Sequence, residues 1–234
     1  MSAPRALAVV IPAHNEELLL PAALLAVRRA AAHPALRGLP VITVVAADSC
    51  TDDTARVAAR HGALTVAVDA CRPAAARAAG VEAARDRLRL DPRHLWIACT
   101  DADSRVPPGW LLRQARWAAA GWCATVGTVR PHGWPPELDA VVRRHQGRYR
   151  AALRPDTHPH VHGANLGVRA SAYEDAGGFP DVLTGEDRAL VAALADAGHR
   201  LLRTGSCPVA TSARLTPRAV HGYGHDLARL AGRR

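Results

Sequence analysis

The sequence contains no lysine, and all 30 of its basic residues are arginine. Only 21 residues are acidic, so the formal net charge is +9. A charge of this sign favours phosphorylated ligands or anionic surfaces as partners. Because the arginines are scattered and form no compact basic run, we expect no nucleic-acid partner. A peripheral contact with an anionic membrane surface stays open.

Two further absences narrow the class of protein. The five cysteines show no CxxC spacing, which argues against a disulfide framework or a zinc site and favours a reducing compartment. Long apolar runs are also lacking, since residues 7–13 and 18–27 are too short for a signal peptide or a bilayer span. We therefore expect a cytoplasmic protein.

Aromatic residues are scarce, at 4% of the chain, so alanine, valine and leucine must build the core. The hydrophobic fraction of 49% and the charged fraction of 22% are ordinary for a globular protein. A length of 234 residues suits a single domain, and no linker divides the chain.

Apolar, β-branched runs alternate with helical patterns through the first 130 residues. The runs that predict strands are 6–11, 41–46, 64–68, 94–99 and 124–129. The segments that predict helices are 18–32, the stretch from Thr54 to Gly62, 73–88 and 109–120. This alternation predicts an α/β domain with a mostly parallel central sheet and helices on both faces. Asn15 is expected to cap the first helix, with Glu16 and Glu17 in its first turn.

The second half of the chain has weaker patterns. Residues 131–162 carry several prolines and histidines around a short helical piece at 137–149, and they predict an excursion that covers a site. Helices are predicted at 171–176 and 186–197, and a last strand at 201–204. We therefore expect three parts within one domain, namely residues 1–130, residues 131–210 and a basic, mobile tail (211–234).

An acidic pair follows the fourth predicted strand, in the sequence Cys99-Thr100-Asp101-Ala102-Asp103. Such a pair, taken alone, more often solvates a turn than forms a site. Mg²⁺ and Mn²⁺, however, bind through one or two carboxylates and complete their coordination with water and phosphate oxygens. The pair is therefore also a candidate metal–diphosphate site.

Other polar segments follow the other strands. Pro12 to Glu16 follows the first strand, and Asp48 to Thr54 follows the second. Both could be ordinary helix caps. A glycine-containing segment from His162 to Arg169 and the adjacent acids Glu186 and Asp187 come later, and they could be a surface loop and a helix start. Because ligands of such sheets bind at the carboxyl ends of the strands, we expect the strand-end segments to converge on one edge.

In this order, the segments resemble the family 2 glycosyltransferases of the GT-A fold. The family pattern is an "IPxYNE" strand end, a "DDGSTDxT" turn, an "ARNxG" helix, a "DxD" strand end, a glycine- and asparagine-containing segment followed by "GGF", and an "ED" pair. Each match is weak, but six in order over residues 7–200 are specific. The resemblance implies a single GT-A (Rossmann-like) domain, in which residues 1–130 are the nucleotide-binding half and residues 131–210 the acceptor and catalytic half. It also implies a metal-dependent inverting transferase. Such an enzyme moves one sugar from a nucleotide diphosphate-sugar, with UDP favoured, to a hydroxyl acceptor.

The resemblance also implies a role for each matching residue. The implied catalytic residues are Asp187 as general base and Glu186 as a contact to a sugar hydroxyl. Asp103 would hold Mg²⁺ or Mn²⁺, with His221 a candidate further ligand and His162 another. Nucleotide-sugar-binding roles fall on Pro12, Ala13, His14, Glu16, Asp48, Arg77, Asp101, Ala102, Gly163, Ala164 and Asn165.

Departures from the family pattern bear on specificity. In the "DDGS" turn, Ala47 replaces the first Asp, Ser49 the Gly and Cys50 the Ser. Ala78 replaces the asparagine of "ARNxG". A "QxxRW" motif is absent after Asp187, so a processive polymerase is not expected. The alternatives left open are a retaining GT-A transferase and a catalytically degenerate basic binding protein. A sugar nucleotidyltransferase lacks support, because no glycine-rich loop follows Ile11.

Overall fold

A single eight-stranded sheet forms the centre of the molecule, which is a computed structural model that describes residues 2–134, 136–154 and 157–214. The strands are β1 (Ala6–Ala13), β2 (Val41–Asp48), β3 (Leu64–Val68), β4 (Leu95–Cys99), β5 (Ser104–Arg105), β6 (Ala124–His132), β7 (Leu166–Arg169) and β8 (Leu201–Ser212). The α-helices are α1 (Leu20–Ala31), α2 (Thr54–Arg60), α3 (Pro73–Leu88), α4 (Trp110–Ala119), α5 (Asp139–Ala151), α6 (Ala170–Asp175) and α7 (Glu186–Asp196).

The strands lie in the order β3-β2-β1-β4-β7-β6-β8-β5. Strands β7 and β5 run antiparallel to their neighbours, and the other six run in one direction. The expected α/β fold with a mostly parallel sheet is confirmed. The carboxyl ends of β1, β2 and β4 therefore meet at one edge, as the strand-end motifs require.

Helices cover both faces of the sheet because successive strand residues point to opposite sides. In β1, Ala6, Ala8 and Val10 pack into the core cluster that also contains residues of α3, α6 and α7. Leu7, Val9 and Ile11 pack into the second cluster, with residues of α1, α2 and α4. All six of these β1 side chains are fully buried, which is why the strand reads as a continuous apolar run.

Two elements of the second half differ from the sequence prediction. Residues 166–169 were expected within a loop, but they form β7, which lies between β4 and β6. The last strand was expected at 201–204, but β8 extends to Ser212 and pairs with β6 and β5. Thr211 and Ser212, which were predicted to be the first residues of the tail, therefore belong to the sheet.

Within these described ranges, no helix is both long enough and apolar enough to cross a membrane. Cys99, Cys123 and Cys207 are buried, Cys50 is half-buried and Cys71 is exposed.

Candidate active site

The loops that follow β1 and β2 hold each other in place. The Asn15 side-chain oxygen accepts a hydrogen bond from the Thr51 amide at 2.8 Å. The Glu16 amide donates to the Thr54 hydroxyl at 2.7 Å, and the Asp53 amide donates to Glu17 at 2.9 Å. Asn15 was expected to cap α1, and this expectation is wrong: the helix begins only at residue 20, and Asn15 instead caps the neighbouring loop.

Asp48, the last residue of β2, organises the loop between β3 and α3. Its carboxylate accepts hydrogen bonds from the amides of Ala70 and Cys71, each at 2.8 Å, and of Arg72 at 2.7 Å. Burial acts to raise the pKa of Asp48, but these backbone donors hold it below its ordinary value. The carboxylate is committed to this loop in the present structure, and its base-binding role stays a prediction.

His14 lies next to Asp48. One of its ring nitrogens, Nδ1, is 2.7 Å from the Asp48 carbonyl oxygen. Pro12 and Ala13 are residues of β1 itself, and the Ala13 side chain is buried. Pro12, Ala13 and His14 thus lie at the sheet edge where β1 and β2 end.

Arg77 connects the acidic strand end to the start of α7. The Nη2 atom of Arg77 is 2.5 Å from Asp101 Oδ1, and its Nη1 atom is hydrogen-bonded to Glu186 Oε1. Arg77 and Glu186 are buried. Burial acts to lower the pKa of Arg77, but the two carboxylates outweigh it and raise the pKa above its ordinary value. Arg77 is therefore permanently charged and is the counter-ion of both acids.

Gly163 packs directly against Arg77. A Cβ atom at this position would lie 2.4 Å from Arg77 Nη2, so any larger residue would displace the guanidinium. The Gly163 amide donates a hydrogen bond to Asp187 Oδ2 at 2.8 Å. Gly163 therefore allows the backbone to approach the ion pair and orients Asp187 at the same time.

Asp187 lies in the first turn of α7, where the helix dipole stabilises negative charge. Its second oxygen, Oδ1, accepts from the Arg188 amide at 2.7 Å. Asp187 is only partly buried, unlike its neighbour Glu186. Its carboxylate is thus oriented by two amides and still accessible.

Asp101 lies close to two other acids. Burial is the main cause of a raised pKa of Asp101, Arg77 opposes the rise, and Asp103 and Asp187 add to it. Carboxylates from the end of β4 and from α7 are therefore near enough to repel each other. A buried carboxylate whose pKa is shifted by neighbouring charges is a candidate functional residue.

Asp103 is held by an arginine near the end of β8. Arg214 Nη2 lies 3.2 Å from Asp103 Oδ2, and the same guanidinium forms a two-pronged ion pair with Glu16. The Asp103 Oδ1 atom is 3.1 Å from the Ser104 hydroxyl oxygen. Burial raises the pKa of Asp103, and Arg214 opposes that rise. The two acids of the pair are thus bound to different arginines.

Three of the residues that were expected to bind the nucleotide-sugar are buried inside the protein. Ala102 and Ala164 are buried. The Asn165 amide nitrogen donates to the carbonyls of Thr128 and Cys207, each at 2.9 Å, and its oxygen accepts from the indole of Trp110 at 2.9 Å. Both side-chain donors of Asn165 are used within the fold, and its expected contact with a sugar stays a prediction.

The donor set is compatible with a divalent cation only when a ligand contributes. No cluster of three or more His, Cys, Asp or Glu side chains that could hold a metal occurs among residues 2–134, 136–154 and 157–214. Asp101 and Asp103 supply hard carboxylate oxygens, which suit Mg²⁺ or Mn²⁺ when phosphate oxygens and water complete the shell. The other expected ligand, His221, lies outside the described residues.

Two features of the site were not foreseen. Arg214 carries no local signal, since its partner Glu16 is 198 residues away in sequence. His162 was considered as a metal ligand, but its Nε2 atom is 2.9 Å from the hydroxyl of Tyr149. Burial lowers the pKa of His162 to about 3, so the ring is neutral at pH 7. The residue next to Gly163 is thus held by its contact with Tyr149. The histidine-rich composition pointed to this region, but not to a structural role.

Comparison with known families shows to which family the chain belongs. The sequence pattern described as "Glycosyl transferase family 2" matches residues 8–177. The chain belongs to glycosyl transferase family 2. The matched residues include both acids of the Asp101–Asp103 pair, Arg77 and Gly163, so the site described above lies mostly within the family's own sequence signature.

Solved structures share the GT-A fold of this family 2 chain. A mannosyltransferase from Pyrobaculum calidifontis, in complex with GDP-Man and Mn²⁺, has a TM-score of 0.64 and 22% identity over 93% of this chain. S. aureus TarS 1–349 in complex with UDP-GlcNAc has a TM-score of 0.65 and 13% identity over 96% of this chain. M. tuberculosis glucosyl-3-phosphoglycerate synthase, in complex with Mn²⁺, UDP-Glc and phosphoglyceric acid, has a TM-score of 0.56 and 18% identity over 98%.

The family 2 chain described here is shorter than these proteins. It spans 59% of the mannosyltransferase, 65% of the TarS fragment and 81% of the synthase. No curated protein sequence matches it.

Proposed function

We propose that this family 2 chain transfers one sugar from a nucleotide diphosphate-sugar to a hydroxyl acceptor, with inversion at the anomeric carbon. The observation that carries the proposal is the pairing of Arg77 both with Asp101, which follows β4, and with Glu186, which opens α7 next to Asp187. Acids from two separate segments of the chain are therefore held around one guanidinium. An inverting transfer needs this arrangement, because the base and the leaving group lie on opposite sides of the reacting carbon.

Asp187 is the proposed general base. The acceptor oxygen forms a bond to the anomeric carbon as the bond to the diphosphate breaks, and the acceptor proton passes to a carboxylate oxygen of Asp187. Each of these oxygens accepts one amide hydrogen bond and keeps a further lone pair for the proton. The amides of Gly163 and Arg188 fix the orientation of the carboxylate before the acceptor arrives.

The acids near β4 and their arginines form the donor side. Asp101 is proposed to face the ribose and Asp103 the diphosphate, while Arg77 keeps Asp101 and Glu186 in fixed positions. A Mg²⁺ or Mn²⁺ ion bound at Asp103 together with the diphosphate would neutralise charge on the leaving group. Glu186 is proposed to contact a sugar hydroxyl through the carboxylate oxygen that Arg77 leaves available.

A UDP-sugar is the proposed donor, and a GDP-sugar is the alternative. Two of the similar structures contain UDP-sugars and one contains GDP-Man. The acceptor is proposed to bind next to Asp187, on the side formed by residues 131–162. Action in the cytoplasm, with a peripheral membrane contact through the arginine-rich surface, is part of the same proposal.

The proposal is tested by measuring sugar transfer, and donor hydrolysis without acceptor, for a panel of UDP- and GDP-sugars with Mn²⁺. Asp187→Asn should reduce turnover by at least about 100-fold, because it removes the base but keeps the shape of the side chain. Asp103→Ala should reduce turnover by a similar factor. Asp196→Asn is the matched control, since Asp196 is an exposed residue at the other end of α7.

Full activity of both site variants would contradict the assignment of these residues. Nucleotide-sugar binding without hydrolysis or transfer by the unmodified protein would instead favour a degenerate binding protein. Retention of the donor's anomeric configuration in the product would exclude the inverting mechanism.

A further inference from the structure

Arg214 is placed at the donor side of the site by the sheet. The Ser212 amide donates to the Asp103 carbonyl oxygen at 3.2 Å, and the Ala213 amide donates to the His132 carbonyl oxygen at 2.9 Å. The Thr211 hydroxyl lies 2.9 Å from that of Ser104. These contacts on three successive residues fix the backbone that precedes Arg214, so its position follows from β8 and not from a chance surface encounter.

The guanidinium of Arg214 lies between two acids from different segments. It binds both oxygens of Glu16, and it contacts Asp103 Oδ2 at 3.2 Å. The Glu16 side chain is 6% exposed, that of Asp103 14% and that of Arg214 24%. Two largely buried carboxylates therefore share this arginine as a counter-ion.

A metal ion at Asp103 would compete with Arg214. A divalent cation and a guanidinium compete for the negative charge of the same carboxylate, and their own charges repel each other. A diphosphate changes this balance, because it brings at least two negative charges that a metal and an arginine can share. Arg214 can then exchange its contact with Asp103 for one with a phosphate oxygen.

We propose that Arg214 is a further donor-site residue, which occupies Asp103 in the donor-free protein and gives way to the metal when the nucleotide diphosphate binds. The inference rests on the proposed function, since it assumes that a nucleotide diphosphate binds at Asp103. It assigns this chain a metal site that is weak without nucleotide and strong with it. Arg214 then touches the leaving group and keeps it in place.

The first test measures Mn²⁺ binding to the nucleotide-free protein, by the loss of the free Mn²⁺ signal in electron paramagnetic resonance. Arg214→Gln should bind Mn²⁺ about tenfold more tightly than the unmodified protein, since the competing cation is gone. Arg28→Gln removes the same charge from an exposed site on α1 and should leave Mn²⁺ affinity unchanged. Arg214→Lys keeps the charge but holds Asp103 less firmly, so it should raise Mn²⁺ affinity by a smaller factor than Arg214→Gln.

The second test adds UDP or GDP at a fixed Mn²⁺ concentration. The unmodified protein should gain Mn²⁺ affinity on addition of nucleotide, and Arg214→Gln should gain less, because it lacks the guanidinium that binds the phosphate. Circular dichroism shows whether each variant is folded. If Arg214→Gln fails to fold, the comparison of Arg214→Lys with Arg28→Gln remains, and a lysine that releases Asp103 more readily should raise Mn²⁺ affinity by a smaller factor.

Equal Mn²⁺ affinity of the unmodified protein and Arg214→Gln without nucleotide would overturn the inference, even if sugar transfer occurs. No Mn²⁺ binding by Arg214→Gln would overturn it as well. Failure of UDP and GDP to bind to any of the proteins would instead count against the proposed function, and the nucleotide-free comparison would still decide whether Arg214 and the metal compete.

Discussion

At the scale of single residues, Arg77 is a buried arginine that pairs with two acids. It joins Asp101, at the end of β4, to Glu186, at the start of α7. It also lies against the backbone of Gly163, where a side chain would not fit. One guanidinium therefore sets the distance between the end of β4 and the start of α7.

Replacing Arg77 by alanine should destabilise the fold by about 3–5 kcal/mol, because Glu186 would be left as a buried charge without a partner. The free energy of unfolding is measured by urea denaturation at pH 7. Arg87→Ala is the control, since Arg87 is an exposed arginine on the same helix, and its loss should change stability by less than about 0.5 kcal/mol. Equal effects of the two substitutions would show that Arg77 does not hold the acids together.

The role of Arg77 was predictable only in part. Its position in the motif placed it near the nucleotide, but the ion pair with Glu186 joins residues 109 positions apart, and no local pattern reveals such a pairing. Asp48 shows the same limit. Its place after a buried strand marked it as a site residue, whereas its three backbone donors depend on the path of a loop that lies 22–24 residues further on.

At the scale of elements, the loop between β3 and α3 depends on a single carboxylate. Asp48 binds three consecutive amides of this loop, those of Ala70, Cys71 and Arg72. Arg72 in turn pairs with Asp181 at 2.7 Å, in the segment that leads to α7. This ion pair therefore connects the loop between β3 and α3 to the segment that precedes α7.

The stability that Asp48 contributes should depend on pH. Its pKa is lowered in the folded state, so the contribution is present in full above the ordinary value of 3.8 and is lost as the pH falls through the lowered pKa. Asp48→Asn should cost about 1–3 kcal/mol at pH 7, because asparagine cannot accept all of the amides. The difference between the two proteins should shrink below pH 3.8.

Urea unfolding at pH 7, 5 and 3 measures this difference, with Asp196→Asn as the control. Asp196 is exposed at the end of α7, so its variant should follow the unmodified protein at every pH. A penalty for Asp48→Asn that stays constant from pH 7 to 3 would show that the charge of the carboxylate is unimportant to the loop.

Most elements of the first half followed from the sequence, and β7 did not. The strands β1 and β4 are runs of mostly buried apolar residues, and helices such as α3 have clear ends at Pro73 and Leu88. Strand β7 has only four residues, Leu166–Arg169, which include a glycine and an arginine. It becomes a strand because it pairs on both sides, with β4 and with β6, and such tertiary pairing overrides a weak local pattern.

At the scale of the whole molecule, the nucleotide diphosphate should stabilise the fold. The proposed ligand contacts loops after β1 and β2, the acids after β4 and Arg214 after β8, so its binding joins distant parts of the chain. At 100 times the dissociation constant, a ligand that binds only the folded state adds about 2.7 kcal/mol, which raises Tm by roughly 5–10 °C for a chain of this size.

This shift is measured by thermal unfolding with a panel of UDP- and GDP-sugars, in Mn²⁺ and again in an excess of chelator. We expect the shift with one nucleotide class and a smaller shift after the metal is removed. The same sugars without the nucleotide are the control. No shift with any nucleotide diphosphate, with metal or without, would contradict the proposed donor site.

The fold class and the convergence of the strand-end segments could be predicted because they depend on local patterns repeated in order. Three strand-end segments converge because parallel strands end at one edge. The charge balance within the site could not be predicted. It depends on which of many arginines reaches each acid, and a chain whose only basic side chains besides histidine are 30 arginines offers no compositional clue to the choice.

The contact between Glu16 and Arg214 also bears on how the protein folds. It closes a segment of 198 residues, and the entropy of so long a closure must be offset by contacts formed earlier. Strand β8 must pair with β6 before its arginine can arrive. Contacts of this sequence separation form slowly compared with helices and neighbouring strands. The donor side of the site should therefore mature after the rest of the sheet, and nucleotide binding during refolding would report the final step of assembly.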